Sequence, residues 1–375
     1  MHKLKINSAK KNAALLLVLW GLVQFSILVI QGINANGEAL RFIQEANLLN
    51  NHQPFSSPVY YMYLIEILLV LIKIKFSLTF HFIIAIQLSL NVTALFVFKK
   101  FVKTLYDSER ISFIASSLLI LCIPYQFFNS YIYTESIFFS LSIIFSCYLL
   151  SVKKITPIHM VKIACGLVLL CVTRPTGIFF VGATFIWCFI HVTRSISLSQ
   201  KLMMIAAMGL LFFFIINNIM GSGEGVNIIK PFKEEHIICD VPTLIRQTDL
   251  HSTDDNSIYG LAHYIAQHPK QFLRLGLLKT MAFFGINRSY FSFQHNLFTN
   301  TFFYLLYTLI ISGIVLYKKV KFDFFVYYSS ILLFFWMLVV FSCDEWNNRF
   351  FLTLTPFLIL MSLPFVDYLL KRKDR

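Results

Sequence analysis

Ser57-Pro58-Val59-Tyr60-Tyr61-Met62-Tyr63-Leu64-Ile65-Glu66-Ile67-Leu68-Leu69-Val70-Leu71-Ile72, running on into Lys73-Ile74-Lys75, is the stretch on which the topology of the chain turns. Its apolar part, residues 58–72, falls short of the roughly 20 residues that cross about 30 Å of hydrocarbon at about 1.5 Å per residue. Glu66 sits inside it and two lysines close it. The stretch either crosses a membrane or lies along its surface, and every later loop changes side with the answer.

On either side the pattern is plainer. Apolar stretches fall near residues 13–33, 79–98, 111–124, 133–151, 159–173, 177–192, 201–218, 302–317, 324–342 and 349–370. The 375 residues are 57% apolar and 13% charged, include 41 Phe, and have a mean hydropathy of +0.71. Soluble domains of this size rarely carry so little charge. The expected fold class is therefore an all-α polytopic membrane protein, one integral membrane domain over 1–375, with about 10–11 hydrophobic helices and further helices at the outer face. Nucleic acid is a poor explanation of the formal charge of +14. The first apolar stretch exceeds a signal-peptide core and lacks a convincing small-residue cleavage site, so it reads as a retained anchor.

The distribution of positive charge decides the doubtful stretch. If residues 58–72 cross, Lys99, Lys100, Lys103, Lys153, Lys154, Lys318, Lys319 and Lys321 all fall outside. If they do not, these clusters join the basic N-terminus and Lys371, Arg372 and Lys373 on the cytoplasmic side, as the positive-inside rule requires. We adopt the second arrangement, which puts 20 of the 32 Lys and Arg inside and both termini in the cytoplasm. Residues 34–78 are then a first outer loop with an interfacial or re-entrant helix, and residues 219–300 a large outer loop. Within the latter, Asp254, Asp255 and Asn256 are cap candidates for a run through Ile258, Leu261 and Ile265, and Pro269 suits the first turn of a further amphipathic helix.

Of seven cysteines, Cys122, Cys147, Cys165, Cys171 and Cys188 lie in apolar stretches, where a small hydrophobe is the simple reading. Cys239 and Cys343 lie in hydrophilic segments and can pair if both face an oxidising compartment, although spacing alone does not decide it.

This topology gathers a few ionisable residues at outer helix ends: Glu38, Glu135 beside a capping candidate Thr134, Arg174 and Arg349. Singly, each is equally a helix-end residue at headgroup level. Together, two carboxylates and two guanidiniums facing one compartment suit a phosphate-bearing substrate and an acceptor to be deprotonated. The order of these segments resembles the C-type glycosyltransferase superfamily, the polytopic enzymes that include protein O-mannosyltransferases and aminoarabinose transferases. The resemblance rests on Glu38 and Arg41-Phe42-Ile43-Gln44-Glu45-Ala46, Ser57-Pro58-Val59-Tyr60-Tyr61, Tyr133-Thr134-Glu135-Ser136, Arg174-Pro175-Thr176-Gly177, His268-Pro269-Lys270-Gln271-Phe272 before Lys279, and Arg349-Phe350. It spans most of the chain in layout, with no single diagnostic motif. The family's first-loop acid is usually Asp, where this chain has a lone Glu38.

The resemblance implies an inverting transfer of a sugar from a polyprenyl-phosphate donor to a glycan, lipid or protein acceptor on the outer face; the Lys-, Ile- and Phe-rich composition makes a bacterial inner membrane the expected location. Glu38 would be the base and Glu135 a second catalytic carboxylate, while Arg174, Lys279, Arg349 and Arg41 would hold phosphate. No cofactor is expected. A divalent ion on the adjacent acids Asp344 and Glu345 is the weaker option. The alternatives are a secondary transporter or lipid-linked-sugar flippase, and an O-antigen polymerase or ligase-like enzyme.

Overall fold

A computed structural model describes residues 2–192, 197, 199–200, 203, 230–239, 241, 257–317 and 322–373. The apolar stretch 201–218 (apart from Met203), Asp254–Asn256 and the cluster Lys318, Lys319, Lys321 lie outside the described residues. In chain order the helices are α1 (His2–Gln31), α2 (Glu38–Asn50), α3 (Leu64–Lys75), α4 (Phe80–Tyr106), α5 (Glu109–Leu121), α6 (Ile123–Phe127), α7 (Thr134–Ser151), α8 (Pro157–Thr173), α9 (Ile178–Val192), α10 (Lys230–Lys233), α11 (Ile258–Gln267), α12 (Pro269–Gly285), α13 (Phe293–Ser312), α14 (Phe322–Phe341), α15 (Arg349–Leu352) and α16 (Thr355–Lys373).

Among the described residues there is no strand. Five helical segments among the described residues are long and apolar enough to cross a membrane: Lys10–Gln31, Phe80–Tyr106, Thr134–Ser151, Phe293–Val315 and Phe324–Phe341. A sixth is the pair Glu109–Leu121 and Ile123–Ser130, bent by 62°, if the two count as one span. Pro157–Thr173 and Pro175–Ile190 are shorter apolar helices. The protein is an all-α polytopic membrane protein. Its chain divides into two compact units: unit 1 holds Met1–Val181, Thr301–Phe325 and Leu352–Arg375, and unit 2 holds Gly182–Asn300 and Val326–Phe351.

Unit 1 shows what residues 58–72 pack against. Trp20 of α1 donates to Asn91 of α4 at 2.8 Å. Beyond α1, the Asn34 amide donates to the Ser130 carbonyl at 2.9 Å, and Ile132 donates back to Asn34 at 2.9 Å. Gln87, near the start of α4, donates to the carbonyls of Tyr131 (3.1 Å) and Tyr133 (3.4 Å) in that same segment. The end of α1 and the start of α4 therefore lie at one end of the unit, and the chain between them leaves and returns on the same side. Helix α3, about 18 Å long at 1.5 Å per residue, follows a 3-10 turn over Pro58–Tyr63, packs against α2 and by itself is shorter than about 30 Å of hydrocarbon. At the far end of α4, about 18 Å beyond Gln87, Lys99 and Lys103 both pair with Glu109, at 2.6 and 2.9 Å. The basic cluster thus sits opposite the loop that carries Glu38.

Hiding apolar surface does not drive helices together in lipid, so small residues and interhelical hydrogen bonds take over. Helix α7 shows this: Ser136, Ser140, Ser142 and Ser146 are all buried on a helix that packs against α4 and α8. A buried polar chain links Gln24 to Gln126 (2.8 Å), Asn129 to Gln126 (3.0 Å) and Ser136 to Asn129 (2.6 Å). It passes beside the α5–α6 bend, where Pro124 interrupts the helical ladder. By contrast Leu17, Val18, Leu22, Phe25 and Val29 of α1 stay exposed, as suits a lipid-facing helix.

Several local expectations are corrected. Thr134 does not cap α7; the N-cap is Tyr133, with no side-chain cap bond. The residue that caps α11 is Ser257, whose hydroxyl accepts from the Gly260 amide at 3.0 Å. The stretch at 349–370 is broken into α15 and α16 by a turn at Thr353 and Leu354, after which Pro356 sits in the first turn of α16. Helix α13 starts at Phe293 rather than 302, since its polar first turns escape a hydropathy reading.

In unit 2, α12 buries Leu275, Lys279 and Phe283 on one face and exposes Leu273, Leu277 and Met281 on another. A small cluster of Phe232, Leu261, Tyr264 and Leu275 joins it to α10 and α11. Cys239 and Cys343 form a disulfide. Beside it the Cys239 amide donates to the Asp344 carbonyl (2.8 Å) and the Asp344 amide to the Ile237 carbonyl (2.9 Å).

Candidate functional site

The expected site residues fall into both units. In unit 1 the first loop reaches the start of α7 through Gly37, which has φ 64 and ψ −119. A Cβ there would lie 2.7 Å from the Tyr133 hydroxyl, and that hydroxyl donates to the Asn36 carbonyl at 3.0 Å. Glycine is thus required both by the left-handed backbone and by the close approach. Glu38 follows as the half-buried first residue of α2, where a carboxylate is favoured by the helix dipole. Arg41, one turn on, is exposed. Glu45, on the buried face of α2, accepts from the amide (3.0 Å) and the hydroxyl of Ser56 and so pins the turn that leads into α3.

Two residues beyond Tyr133, Glu135 is fully buried in the first turn of α7 and pairs with Arg174 at 2.5 Å. Arg174 follows α8 in extended backbone, as the next residue, Pro175, requires. Gly177 ends the tight turn, where a Cβ would collide with the Leu170 carbonyl. The two groups proposed for separate tasks thus form one buried ion pair.

Glu66 joins them. It entered the sequence reading only as a charge on a doubtful crossing, yet it is fully buried on α3, and neither carboxyl oxygen has a hydrogen-bond partner among the described residues. Burial pushes its pKa well above the usual carboxylate range, and the nearby charge of Glu135 adds to the rise. Gln87 Oε1 and Thr176 Oγ1 are also buried without a partner among the described residues. A buried polar group left unmade costs about 1–3 kcal/mol, so such groups call for a reason.

In unit 2 the polar groups are used differently. Arg288 and Asp344, both almost completely buried, form an ion pair. Arg288 also donates to the carbonyls of Ala282 (2.8 Å) and Asn287 (3.2 Å), while Asp344 accepts from the Glu345 amide at 2.8 Å. Glu345 pairs with Arg349 at 2.8 Å. Asp344 and Glu345 therefore each serve a guanidinium, and the described residues hold no group of three or more His, Cys, Asp or Glu able to take a metal ion. Lys279 is fully buried, donates to the Ser342 carbonyl and lies 3.8 Å from the centre of the Phe232 ring. Burial lowers its pKa to about 7. Arg288 has no motif around it that could have marked it in the sequence.

No family model matches the chain, and no curated protein or solved structure matches it either.

Proposed function

We propose that the protein is a membrane glycosyltransferase that moves a sugar from a polyprenyl-phosphate donor to an acceptor hydroxyl on the extracytoplasmic face of a bacterial inner membrane, with inversion. The observation that carries this reading is the junction of residues 34–37 with 130–133. It brings the loop bearing Glu38 to the start of α7, which bears the Glu135–Arg174 pair, at the end of unit 1 opposite Lys99 and Lys103.

In the proposed step Glu38 accepts the proton of the acceptor hydroxyl as its oxygen attacks the anomeric carbon. The bond from that carbon to the phosphate oxygen breaks, and the phosphate leaves with the electron pair. Developing charge on the phosphate suits a guanidinium, for which Arg41 is the candidate in unit 1, while Arg174 acts together with Glu135. The Cys239–Cys343 disulfide supports an oxidising compartment for the large loop, in line with cytoplasmic termini.

Membranes containing Glu38→Gln, expressed at the wild-type level, should transfer sugar from a radiolabelled polyprenyl-phosphate donor at least about 100-fold more slowly, the usual contribution of a positioned base. Turnover within a few-fold of wild type removes Glu38 from this role. A transporter or flippase is the second reading, favoured by the 62° bend at α5–α6 beside the buried Gln24, Gln126, Asn129 and Ser136 chain. Movement of the intact donor across vesicles without a new glycosidic bond would establish that reading instead.

A further inference from the structure

Among the described residues, Glu66, Gln87 and Thr176 each carry buried polar atoms with no hydrogen-bond partner, and each is tied by charge, hydrogen bonding or sequence to the segments of the Glu135–Arg174 pair. Glu66 feels the charge of Glu135 and has two unmatched carboxyl oxygens. Gln87 uses its amide nitrogen on Tyr131 and Tyr133, just before Glu135, which leaves its Oε1 as the atom to be matched. Thr176, two residues past Arg174, has an unmatched hydroxyl. These atoms are mainly acceptors, so a ligand for them must bring hydrogen-bond donors. A phosphate brings acceptors and more negative charge beside two carboxyl groups. A metal ion would need a richer ligand set than these residues offer. A ring bearing several hydroxyls supplies donors and acceptors together and satisfies Glu66 whether its carboxyl is charged or neutral.

We infer that Glu66, with Gln87 and Thr176, is the subsite that holds the hydroxyl groups of the sugar, Glu66 being a substrate-binding residue rather than a packing one. The inference rests on the glycosyltransferase reading for its substrate class, but its geometry concerns binding alone.

Full-length protein in lipid nanodiscs is tested by saturation-transfer NMR with glucose, mannose and galactose, their deoxy analogues, and glucosamine as an amine probe. Glu66→Leu should weaken the neutral sugars at least about tenfold, the loss expected for one hydrogen-bonded contact. Its melting temperature should hold or rise, because a partnerless buried carboxyl has been removed. Glu66→Gln should keep binding but lose the wild-type penalty for deleting one particular hydroxyl. That change in deoxy-sugar preference would not follow from a packing role, and it remains measurable if the Leu variant fails to fold.

Wild-type affinity in Glu66→Leu overturns the inference, as does unchanged deoxy preference in Glu66→Gln or absence of saturable sugar binding in the wild type. Binding of glucosamine alone, lost in Glu66→Gln, would mean a cation site and also overturns it. A protein that binds sugars through Glu66 yet transfers none sinks the transferase reading and leaves this one standing. Transfer with unaltered sugar preference in Glu66→Gln sinks this one alone.

Discussion

Each unit holds one isolated backbone bridge that ties a loop to a helix end, Asn34 with Tyr131 in unit 1 and Ile238 with Asp344 in unit 2, and the two are completed in opposite ways. In unit 2 a disulfide lies beside the bridge, and Asp344 is matched to Arg288 and to the Glu345 amide. Its polar groups build the loop. In unit 1 the bridge has no covalent reinforcement, and the acids around it include Glu66, with two unmatched oxygens. Where polar groups exceed what the fold uses, the remainder points to a ligand.

The strongest way to break the comparison is to remove one half of the unit 1 pair. Glu135→Leu leaves Arg174, 6% exposed, without its carboxylate. The expected cost is about 3–5 kcal/mol, the range for breaking a buried pair. The double variant Glu135→Leu/Arg174→Met should recover most of that stability, because well-packed apolar replacements avoid the desolvation of both charges; on the proposed function, transfer would stay lost. Thermal melting in nanodiscs, with hydrogen exchange confined to α7 and α8, checks both. A loss below about 1 kcal/mol for the single variant would mean that water or lipid already screens the pair.

Next in size is the unit 2 clasp. Cys239 and Cys343 are 104 residues apart in sequence, and their bond constrains a long loop in the unfolded chain. Cys239→Ser/Cys343→Ser should cost about 2–4 kcal/mol. Exchange should rise at residues 237–239 and 342–349 and stay unchanged around Glu135. Equal loosening of both units would erase the distinction drawn between them.

The contrast also explains what could be read beforehand. A non-crossing course for residues 58–72 is an expectation that Lys99, Lys100 and Lys103 give through a rule about charge and side that needs no coordinates. Glu135 and Arg174 were legible as helix ends on one side, since the short connection 152–156 makes α7 and α8 antiparallel neighbours, but not as partners, because it does not fix which faces of the two helices meet. The disulfide was open for the same reason: a Cα separation of 5.2 Å across 104 residues is a tertiary fact. Glu66 carries a signal in the sequence, an acid inside an apolar run, but that pattern fits a crossing, an interfacial helix and a buried site equally. Thr134 failed as a cap because its own backbone is already helical and Tyr133 takes the boundary position.

The most gradual effect, spread over several pH units, concerns the buried charge of Lys279 in unit 2, for which no acid partner is found among the described residues. Lys279 touches a carbonyl and an aromatic face, and burial brings its pKa from 10.5 to about 7. Between these values the unfolded chain holds a proton that the folded chain has released. Stability therefore rises as pH climbs from about 7 towards 10, with a slope of up to about 1.4 kcal/mol per pH unit, and levels off above the unfolded value. Below pH 7 both states are protonated and the folded form bears the whole cost of the buried ammonium. Lys279→Met should flatten the profile and be more stable than wild type at pH 6, because a straight apolar chain fills the same space without a charge to desolvate. Melting curves across this range provide the measurement. A wild-type profile as flat as the variant's would mean that Lys279 keeps its proton, held by an anion in the site, and unit 2 would then contain unsatisfied charge of the kind found in unit 1.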